Sequence, residues 1–479
     1  MNHKSFYITT PIFYPNATPH MGHAYTTLLS DVLARYHRSI GVETYFLTGT
    51  DEHTEKVIQA AAAQQQDPHE YLETIVERFK SLYARLNISY DQFIRTSDQV
   101  IHWPGVVEMW NRLEKAGDIY KSQYVGLYCV GCEAFLTEKD LVDGKCPDHG
   151  KAPEKVAEDN YFFRLSKYAS QIERLIVSDS IRVVPASRKN EILSLIESGL
   201  DDVSFSRPKE KMSWGIPVPG DETQTMYIWM DALTNYITAL GFGRGEENMR
   251  LWPGVHVIGK DILRFHAAFW PAMLLSAQLP LPKAILVHGM ITSGGRKMSK
   301  TLGNIIDPSA LIDEYGADAV RYYLARHVSP FEDGDLTHEH FKEAYNGNLS
   351  NGLGNQVARI MKLAQEHLDK PVDLPQEALV LQPAFKEFME AFKVNDATAL
   401  IWEHVAKADS YIQETQPFKL VKSEDPADRA RAKGILSDLV VHLVRIATHL
   451  APIMPETSEK ILAAVKENTM PPSLFPRKE

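Results

Sequence analysis

Residues 4–47 read KSFYITTPIFYPNATPHMGHAYTTLLSDVLARYHRSIGVETYFL, and this stretch decides the fold class. Lys4 to Thr10 has the apolar, β-branched and aromatic content of a buried strand. A loop carrying Pro11, Pro15 and Pro19 follows. From Gly22 to Ile40 the pattern turns helical, with Leu28, Leu29, Val32, Leu33 and Tyr36 along one face and Gly41 as a fitting stop. Val42 to Leu47 reads as a second strand. Strand, helix, strand in that order favours a doubly wound parallel sheet. Helical segments near 53–65, 69–86 and 99–116 continue the alternation.

Working outward, the texture changes between 118 and 225. Clustered cysteines and the turn-rich run Gly215-Ile216-Pro217-Val218-Pro219-Gly220 replace the regular alternation, which predicts an insert. The alternation returns with Met226 to Ala239, a strand at His256 to Gly259, a helix from Ile262 to Ala277 and a strand at Ala284 to His288. After about 350 strand signals fade and amphipathic helices take over. Ala432 to Leu450 carries Ile435, Leu436, Leu439, Val440, Leu443, Val444 and Ile446, as a helical bundle requires.

A length of 479 residues exceeds one ordinary core and predicts two to four domains. With 44% hydrophobic and 24% charged residues the chain is globular. No uninterrupted apolar run approaches the length that spans a bilayer, and Met1-Asn2-His3-Lys4 opens no secretory pattern; a cytoplasmic location without membrane contact is the expectation. A net charge of -11 excludes a surface coated in positive charge for non-specific nucleic-acid binding, but not a local basic face for RNA.

The three cysteines are clustered. Cys129-Val130-Gly131-Cys132 is followed, thirteen residues on, by Cys146-Pro147-Asp148-His149. Two ligand pairs, each spaced by two residues, suit one tetrahedral Zn²⁺ held by Cys129, Cys132, Cys146 and His149. A closed four-ligand shell leaves no open position, so the expected zinc is structural. Cysteines serving only as buried apolar filler are the competing reading.

Two further stretches carry chemistry. His20-Met21-Gly22-His23 sits between strand and helix; Gly22 admits a ligand close to the backbone, and a helix N-terminus attracts phosphate. The competing reading is a helix cap with surface rings. Lys297-Met298-Ser299-Lys300 lies within Gly294 to Asn304, where two lysines on a Gly-rich loop can close over a triphosphate. Here the competing reading is a solvated basic loop.

In this order and separation, the two stretches resemble the HIGH and KMSKS signatures of class I aminoacyl-tRNA synthetases. Met21 stands where the family name has isoleucine, and Thr301 where it ends in serine. From Phe6 to about Ala451 the chain resembles the methionyl-tRNA synthetases, of the bacterial type with a single zinc knuckle. The resemblance rests on Thr9-Thr10-Pro11-Ile12-Phe13-Tyr14, Gly49-Thr50-Asp51-Glu52-His53, Ile228-Trp229-Met230-Asp231-Ala232, Ile258-Gly259-Lys260-Asp261-Ile262, Phe269-Trp270-Pro271-Ala272-Met273 and His288-Gly289.

The resemblance implies an α/β fold: a split Rossmann-like parallel-sheet catalytic domain with a zinc-bearing insert and a C-terminal α-helical bundle. The catalytic halves would be 1–117 and 226–290, the inserted connective domain 118–225, the signature-loop and stem-contact region 291–350, and the helical anticodon-binding domain 351–479. The implied activity is ATP-dependent activation of L-methionine and its transfer to tRNA(Met), with Mg²⁺ accompanying ATP. Ile12, Tyr14, Trp229, Ala232, Tyr236, Ile262 and His266 would surround the methionine side chain, and Asp51 would take its ammonium group. The spacing Trp229, Ala232, Leu233, Tyr236 places these four on one helical face, which ordinary core packing also explains. His20, Gly22, His23, Gly259, Asp261 and Lys300 would hold ATP, with His20, His23, Lys297 and Lys300 catalytic. Asn355, Arg359 and Phe418 match positions that read the anticodon, although many relatives carry tryptophan at Phe418.

Three rivals bear on this reading. A cysteinyl enzyme spreads its zinc ligands through the catalytic domain, whereas here they sit in one stretch. The leucine, isoleucine and valine enzymes need a larger editing insert than about a hundred residues. A catalytically dead tRNA-binding protein would not need both signatures intact. The sequence ends at Glu479 without a further dimerising tRNA-binding domain, and a monomer is the expectation.

Overall fold

The computed structural model describes residues 5–129, 134–136, 138–147, 150–298 and 304–479. The chain opens with β1 (Ser5–Phe13), α1 (Met21–Ser39), β2 (Glu43–Thr50), α2 (Glu55–Ala63), α3 (Pro68–Arg85), β3 (Gln92–Arg95) and α4 (Trp103–Lys115). β4 (Ile119–Cys129), β5 (Ala134–Leu136), β6 (Glu154–Phe163), α5 (Ala169–Val177), β7 (Arg182–Val184), α6 (Ala186–Glu197), β8 (Val203–Ser204), β9 (Ser206–Pro208), β10 (Pro217–Val218) and β11 (Asp221–Met226) follow. Then come α7 (Ile228–Thr238), β12 (Val255–Gly259), α8 (Trp270–Ser276) and β13 (Ala284–His288).

The central sheet has six strands in the order β3-β2-β1-β12-β13-β7. β1 pairs in parallel with β12, Ile8 opposite Val255 and Thr9 opposite His256. β2 pairs in parallel with β3, and β13 with β7. Its inner strands are buried almost continuously, as parallel strands covered on both faces must be. The expected parallel α/β core is therefore present. The order reverses between β1 and β12, strands far apart in the chain. Ligands of open α/β sheets bind at such a switch, beyond the carboxyl ends of the strands.

Three details differ from the sequence reading. β1 does not end at Thr10 but runs through Pro11 to Phe13, whose carbonyl accepts the Asp51 N–H at 2.9 Å. Proline removes one donor, yet its φ suits an extended strand. β2 likewise continues past Leu47 to Thr50; its threonines are hidden because their hydroxyls are bonded, Thr48 to Thr10 and Thr50 to Glu52. The helix expected from Ile262 to Ala277 is three pieces: a 3-10 turn (Lys260–Ile262), a π-helical turn (Phe265–Phe269) and α8. Pro271 has no N–H for the carbonyl four residues back, so a regular ladder cannot run through it.

The 118–225 stretch holds two antiparallel sheets, β5-β4-β6-β8 and β10-β11-β9. It also holds β7, which forms the edge of the central sheet with Ala284, Ile285 and Leu286 opposite Arg182, Val183 and Val184. This stretch is thus woven into the core rather than standing apart from it.

The chain divides into two compact units. The first comprises residues 1–19, 44–79 and 90–287 and contains the central sheet. The second comprises 20–43, 80–89 and 288–479, so α1 and the end of α3 group with the C-terminal half. Its later elements are β14 (Ile291–Ser293), β15 (Arg296–Lys297), α9 (Pro308–Tyr315), α10 (Ala317–His327), β16 (Gly334–Asp335), α11 (His338–Ala344), a π-helical run (Tyr345–Gly354), α12 (Asn355–His367), α13 (Pro383–Glu390), α14 (Val394–Thr415), α15 (Pro417–Leu420), α16 (Pro426–Leu450) and α17 (Pro455–Glu467). The expected helical region is present, with α16 packing against α12, α14, α15 and α17. At the heart of this unit Arg321 is fully buried. It bonds Asp31 at 2.8 Å and the carbonyls of Leu86, Pro452 and Ile453.

Candidate active site

In the first unit, Trp229, Tyr236, Ile262 and His266, four of the residues expected around methionine, come together. α7 buries Trp229, Ala232 and Tyr236. The Trp229 ring stacks on Phe265, centroids 3.6 Å apart and planes 5° from parallel, and meets His266 edge-on. Tyr236 bonds His266 Nε2 at 2.7 Å, and His266 Nδ1 lies 3.0 Å from the Ile262 carbonyl. A carbonyl only accepts, so Nδ1 carries the proton and Nε2 accepts from the Tyr236 hydroxyl. Burial holds the His266 pKa down to about 4, against the opposing pull of that carbonyl, and the ring is neutral. His266 lies in the π-helical turn, four residues after Ile262.

A second neutral histidine backs the first. His256 on β12 contacts the Tyr236 ring at 4.1 Å, accepts from Trp270 Nε1 at Nε2 and meets Thr9 Oγ1 at Nδ1. Burial and then His266 hold its pKa well below the usual value. Sequence reading missed His256 and Thr9, since a histidine inside a hydrophobic strand looks like core.

Asp51 follows β2 and is buried. Burial raises the Tyr236 phenol pKa; Asn235 pulls against it, and the Asp51 carboxylate adds to the rise. Asp51 thus acts electrostatically on the same hydroxyl that contacts His266. Ile12 and Tyr14 are half-buried at and after the end of β1, with the Lys56 ammonium 4.1 Å from the Tyr14 ring centre. The result is an aromatic wall with one buried carboxylate. Gly259 ends β12, next to the switch point, and Asp261 is exposed on the 3-10 turn after it. A cavity of about 330 Å³ shares Trp229 and Phe265 but is otherwise lined by residues such as Phe162, Leu165, Leu200 and Ala268.

Sequence reading also missed a buried bridge behind this wall. Asp231 accepts from His53 Nδ1 and from His102 Nε2, each at 2.6 Å, and His102 Nδ1 meets Thr238 Oγ1 at 2.8 Å. Burial pushes the Asp231 carboxyl up, but the two imidazoles outweigh it and bring its pKa to about 2.

In the second unit the signature histidines form a reciprocal helix cap. His20 Nδ1 accepts from the Gly22 N–H at 3.0 Å, His23 Nδ1 accepts from the His20 N–H at 3.1 Å, and the rings stack 3.8 Å apart. The two competing readings of this motif are compatible. Capping uses Nδ1 of both rings as acceptor, so in the neutral rings the proton sits on Nε2. Protein packed around His20 and then the Lys297 ammonium hold its pKa below the usual value, although the ring keeps an exposed edge. His23 is held well below by burial and then by His20.

The Lys297 ammonium is thus near enough to act on the His20 ring through space. Lys297 ends the hairpin β14–β15 and is exposed. Gly294 and Gly295 both have positive φ, the two-residue turn that suits a twisted hairpin. Asp335 on β16 fixes it by accepting from the Gly295 N–H and the Thr292 hydroxyl. Lys300 lies outside the described residues.

Cys129 ends β4, and Cys146 is buried with it in a small cluster including Leu136. The Gly150 N–H donates to the Cys146 carbonyl at 2.7 Å. Cys132 and His149 lie outside the described residues, among which no group of three or more metal-ligating side chains occurs. On the helical bundle, Asn355 is exposed at the start of α12, Arg359 is half-buried one turn on, and Phe418 is half-buried on α15.

Comparison with known proteins agrees with this architecture. The family model described as tRNA synthetases class I (M) matches residues 6–153 and 148–361. The methionine–tRNA ligase of Clostridium acetobutylicum is 42% identical over 473 residues, covering 96% of this chain and 73% of that one. The Thermotoga maritima methionine–tRNA ligase is 39% identical over 97% of this chain and 76% of its own. Among solved structures, Mycobacterium tuberculosis methionyl-tRNA synthetase in complex with methionyl-adenylate superposes with a TM-score of 0.91 at 38% identity, covering 99% of each chain. A matching family model over most of the chain, close curated relatives and a shared fold lead to one conclusion: this chain belongs to the class I tRNA synthetases, in the methionine (M) family.

Proposed function

We propose that this chain is a methionine–tRNA ligase, activating L-methionine with ATP to methionyl-adenylate and transferring methionine to tRNA(Met) for protein synthesis. The observation that carries the reading is the cluster in which Tyr236 and Trp229 both meet His266, with the buried Asp51 carboxylate acting on Tyr236. Aromatic rings partner a thioether well, and a neutral imidazole adds no charge to repel or attract an uncharged side chain. A buried carboxylate suits the ammonium group of a free amino acid. We assign Ile12, Tyr14, Trp229, Ala232, Tyr236, Ile262 and His266 to the side chain and Asp51 to the ammonium.

For ATP, which comes with Mg²⁺, we assign His20, Gly22, His23, Gly259, Asp261 and Lys300. The methionine carboxylate attacks the α-phosphorus in line; the bond to pyrophosphate breaks and methionyl-adenylate forms. The terminal ribose hydroxyl of the tRNA then attacks the methionyl carbonyl and AMP leaves. No covalent enzyme intermediate is needed, so orientation and charge stabilisation supply the rate. His20 and His23 contribute Nε2 protons, and Lys297 and Lys300 contribute charge, toward the phosphates.

The buried Cys129 and Cys146, packed in one small cluster, fit one structural Zn²⁺ shared with Cys132 and His149. When bound, the metal closes the fold of the knuckle. Asn355, Arg359 and Phe418 are proposed to read the anticodon. The functional division is proposed as catalytic halves 1–117 and 226–290, connective 118–225, signature-loop region 291–350 and anticodon-binding 351–479, with β7 of the connective stretch completing the catalytic sheet. A cytoplasmic monomer is the proposed working form, testable by light scattering. No described helix is long and apolar enough to cross a membrane.

The test of the activity is exchange of labelled pyrophosphate into ATP with each amino acid in turn. Methionine alone should support rapid exchange. Exchange driven by cysteine, leucine or valine instead, or by none, would refute the proposal.

A further inference from the structure

The loop after β2 must hold Asp51 at a fixed place relative to α7, which carries Trp229, Ala232 and Tyr236. Most of its bonds run elsewhere. The Asp51 N–H goes to Phe13, the Glu52 N–H to Thr96, the Glu52 carboxylate to Thr50, Arg95 and Ser97, and the Thr54 hydroxyl caps α2. His53 supplies a direct bond to α7: its Nδ1 donates to Asp231 Oδ2 at 2.6 Å.

The bridge is built with little freedom. His53, Asp231 and His102 are 3%, 1% and 0% exposed. A carboxylate accepts, so His53 Nδ1 and His102 Nε2 are the donors. The His53 ring packs edge-on against Trp103, whose Nε1 bonds the Thr96 carbonyl, and His102 is tied to Thr238 at the far end of α7. Asp231 lies in the first turns of α7, where a negative charge also suits the helix dipole. One residue separates Asp51 from His53 along the chain, and Asp231 sits between Trp229 and Ala232 in sequence. A displacement at the bridge therefore moves the carboxylate and the aromatic wall relative to each other.

We propose that His53, through its bond to Asp231, is a positioning residue for methionine, setting Asp51 against the α7 face that receives the side chain. This rests on the methionine-activating role proposed above. It assigns work to a histidine that touches no substrate.

The test is methionine-dependent pyrophosphate–ATP exchange by the full chain, with KM measured separately for methionine and ATP. His53→Ala should raise the methionine KM by on the order of tenfold, the loss expected for one charge-assisted hydrogen bond, and leave the ATP KM unchanged. His53→Asn, which offers an amide N–H near the position of Nδ1, should restore most of the methionine KM. Asp231→Asn should resemble His53→Ala. If His53→Ala does not fold, His53→Asn and Asp231→Asn decide the matter: near-normal methionine KM in the first and a raised one in the second is the supporting pattern. A lowered melting temperature with wild-type methionine KM would make the bridge merely structural and overturn the proposal. So would a His53→Asn enzyme as impaired as His53→Ala. Absence of methionine-dependent exchange in the unaltered chain would instead overturn the activity, and this role with it.

Discussion

His23 and His266 illustrate two uses of a neutral imidazole. His23 accepts at Nδ1 within a helix cap, which leaves its proton on Nε2. We expect His23→Ala to slow adenylate formation by about 3 kcal/mol of barrier, comparable to loss of one oxyanion donor, as read by pre-steady-state mixing. Lys300→Ala should do the same. His266 makes a prediction about pH. Its pKa, held at about 4 by burial, lies below the unfolded value near 6.5. The unfolded chain therefore takes up a proton first as pH falls, and stability present above pH ~6.5 drains away toward pH ~4. Denaturant unfolding at pH 7 and pH 5 should show this decline, and His266→Asn, which keeps a donor for Ile262, should make it shallower by this one residue's share, His20, His23 and His256 adding to it in the same direction. Contiguous motifs made the signature histidines legible in sequence. The bridge of His53, His102 and Asp231 was not, because its members come from three distant stretches and each alone looks like an ordinary polar residue.

At the scale of elements, the central sheet constrains the substrate slot through close packing. Gly49 stands opposite Ile94 in the β2–β3 ladder, and a Cβ there would lie 2.0 Å from the Ile94 carbonyl oxygen. Gly49→Ala should destabilise the protein by about 1–3 kcal/mol and raise the methionine KM, since Asp51 is two residues on; urea titration and exchange kinetics check both. The alternation of strand and helix was readable because buried parallel strands leave unbroken apolar runs. Strand ends were not: the prolines and threonines at the ends of β1 and β2 carry turn-like or polar signals that hydrogen bonding overrides. β7 was missed for another reason. Three residues are too few for a periodicity, and only its partner β13 defines it as a strand. The break into a π-helical turn at Phe265 could have been suspected from Pro271, although its width could not.

At the scale of the whole molecule, each unit has its own organising point. In the second unit it is Arg321, whose guanidinium joins α1, the end of α3, α10 and the chain before α17. Arg321→Leu leaves Asp31 buried with Arg35 and Ser89 as remaining partners, and three carbonyls lose a donor. We expect a loss of about 3–5 kcal/mol in equilibrium unfolding. In the first unit, the proposed Zn²⁺ predicts that chelation releases one metal ion per chain and exposes the stretch between 129 and 150 to added protease. The pairing of β1 with β12 has a consequence for biosynthesis. Ile8 waits for Val255, so the nascent chain must hold one edge of an inner strand open while nearly 250 more residues emerge from the ribosome. At roughly 5–20 residues per second that interval is about 10–50 s, long enough for an apolar strand edge to attract a chaperone or another nascent chain.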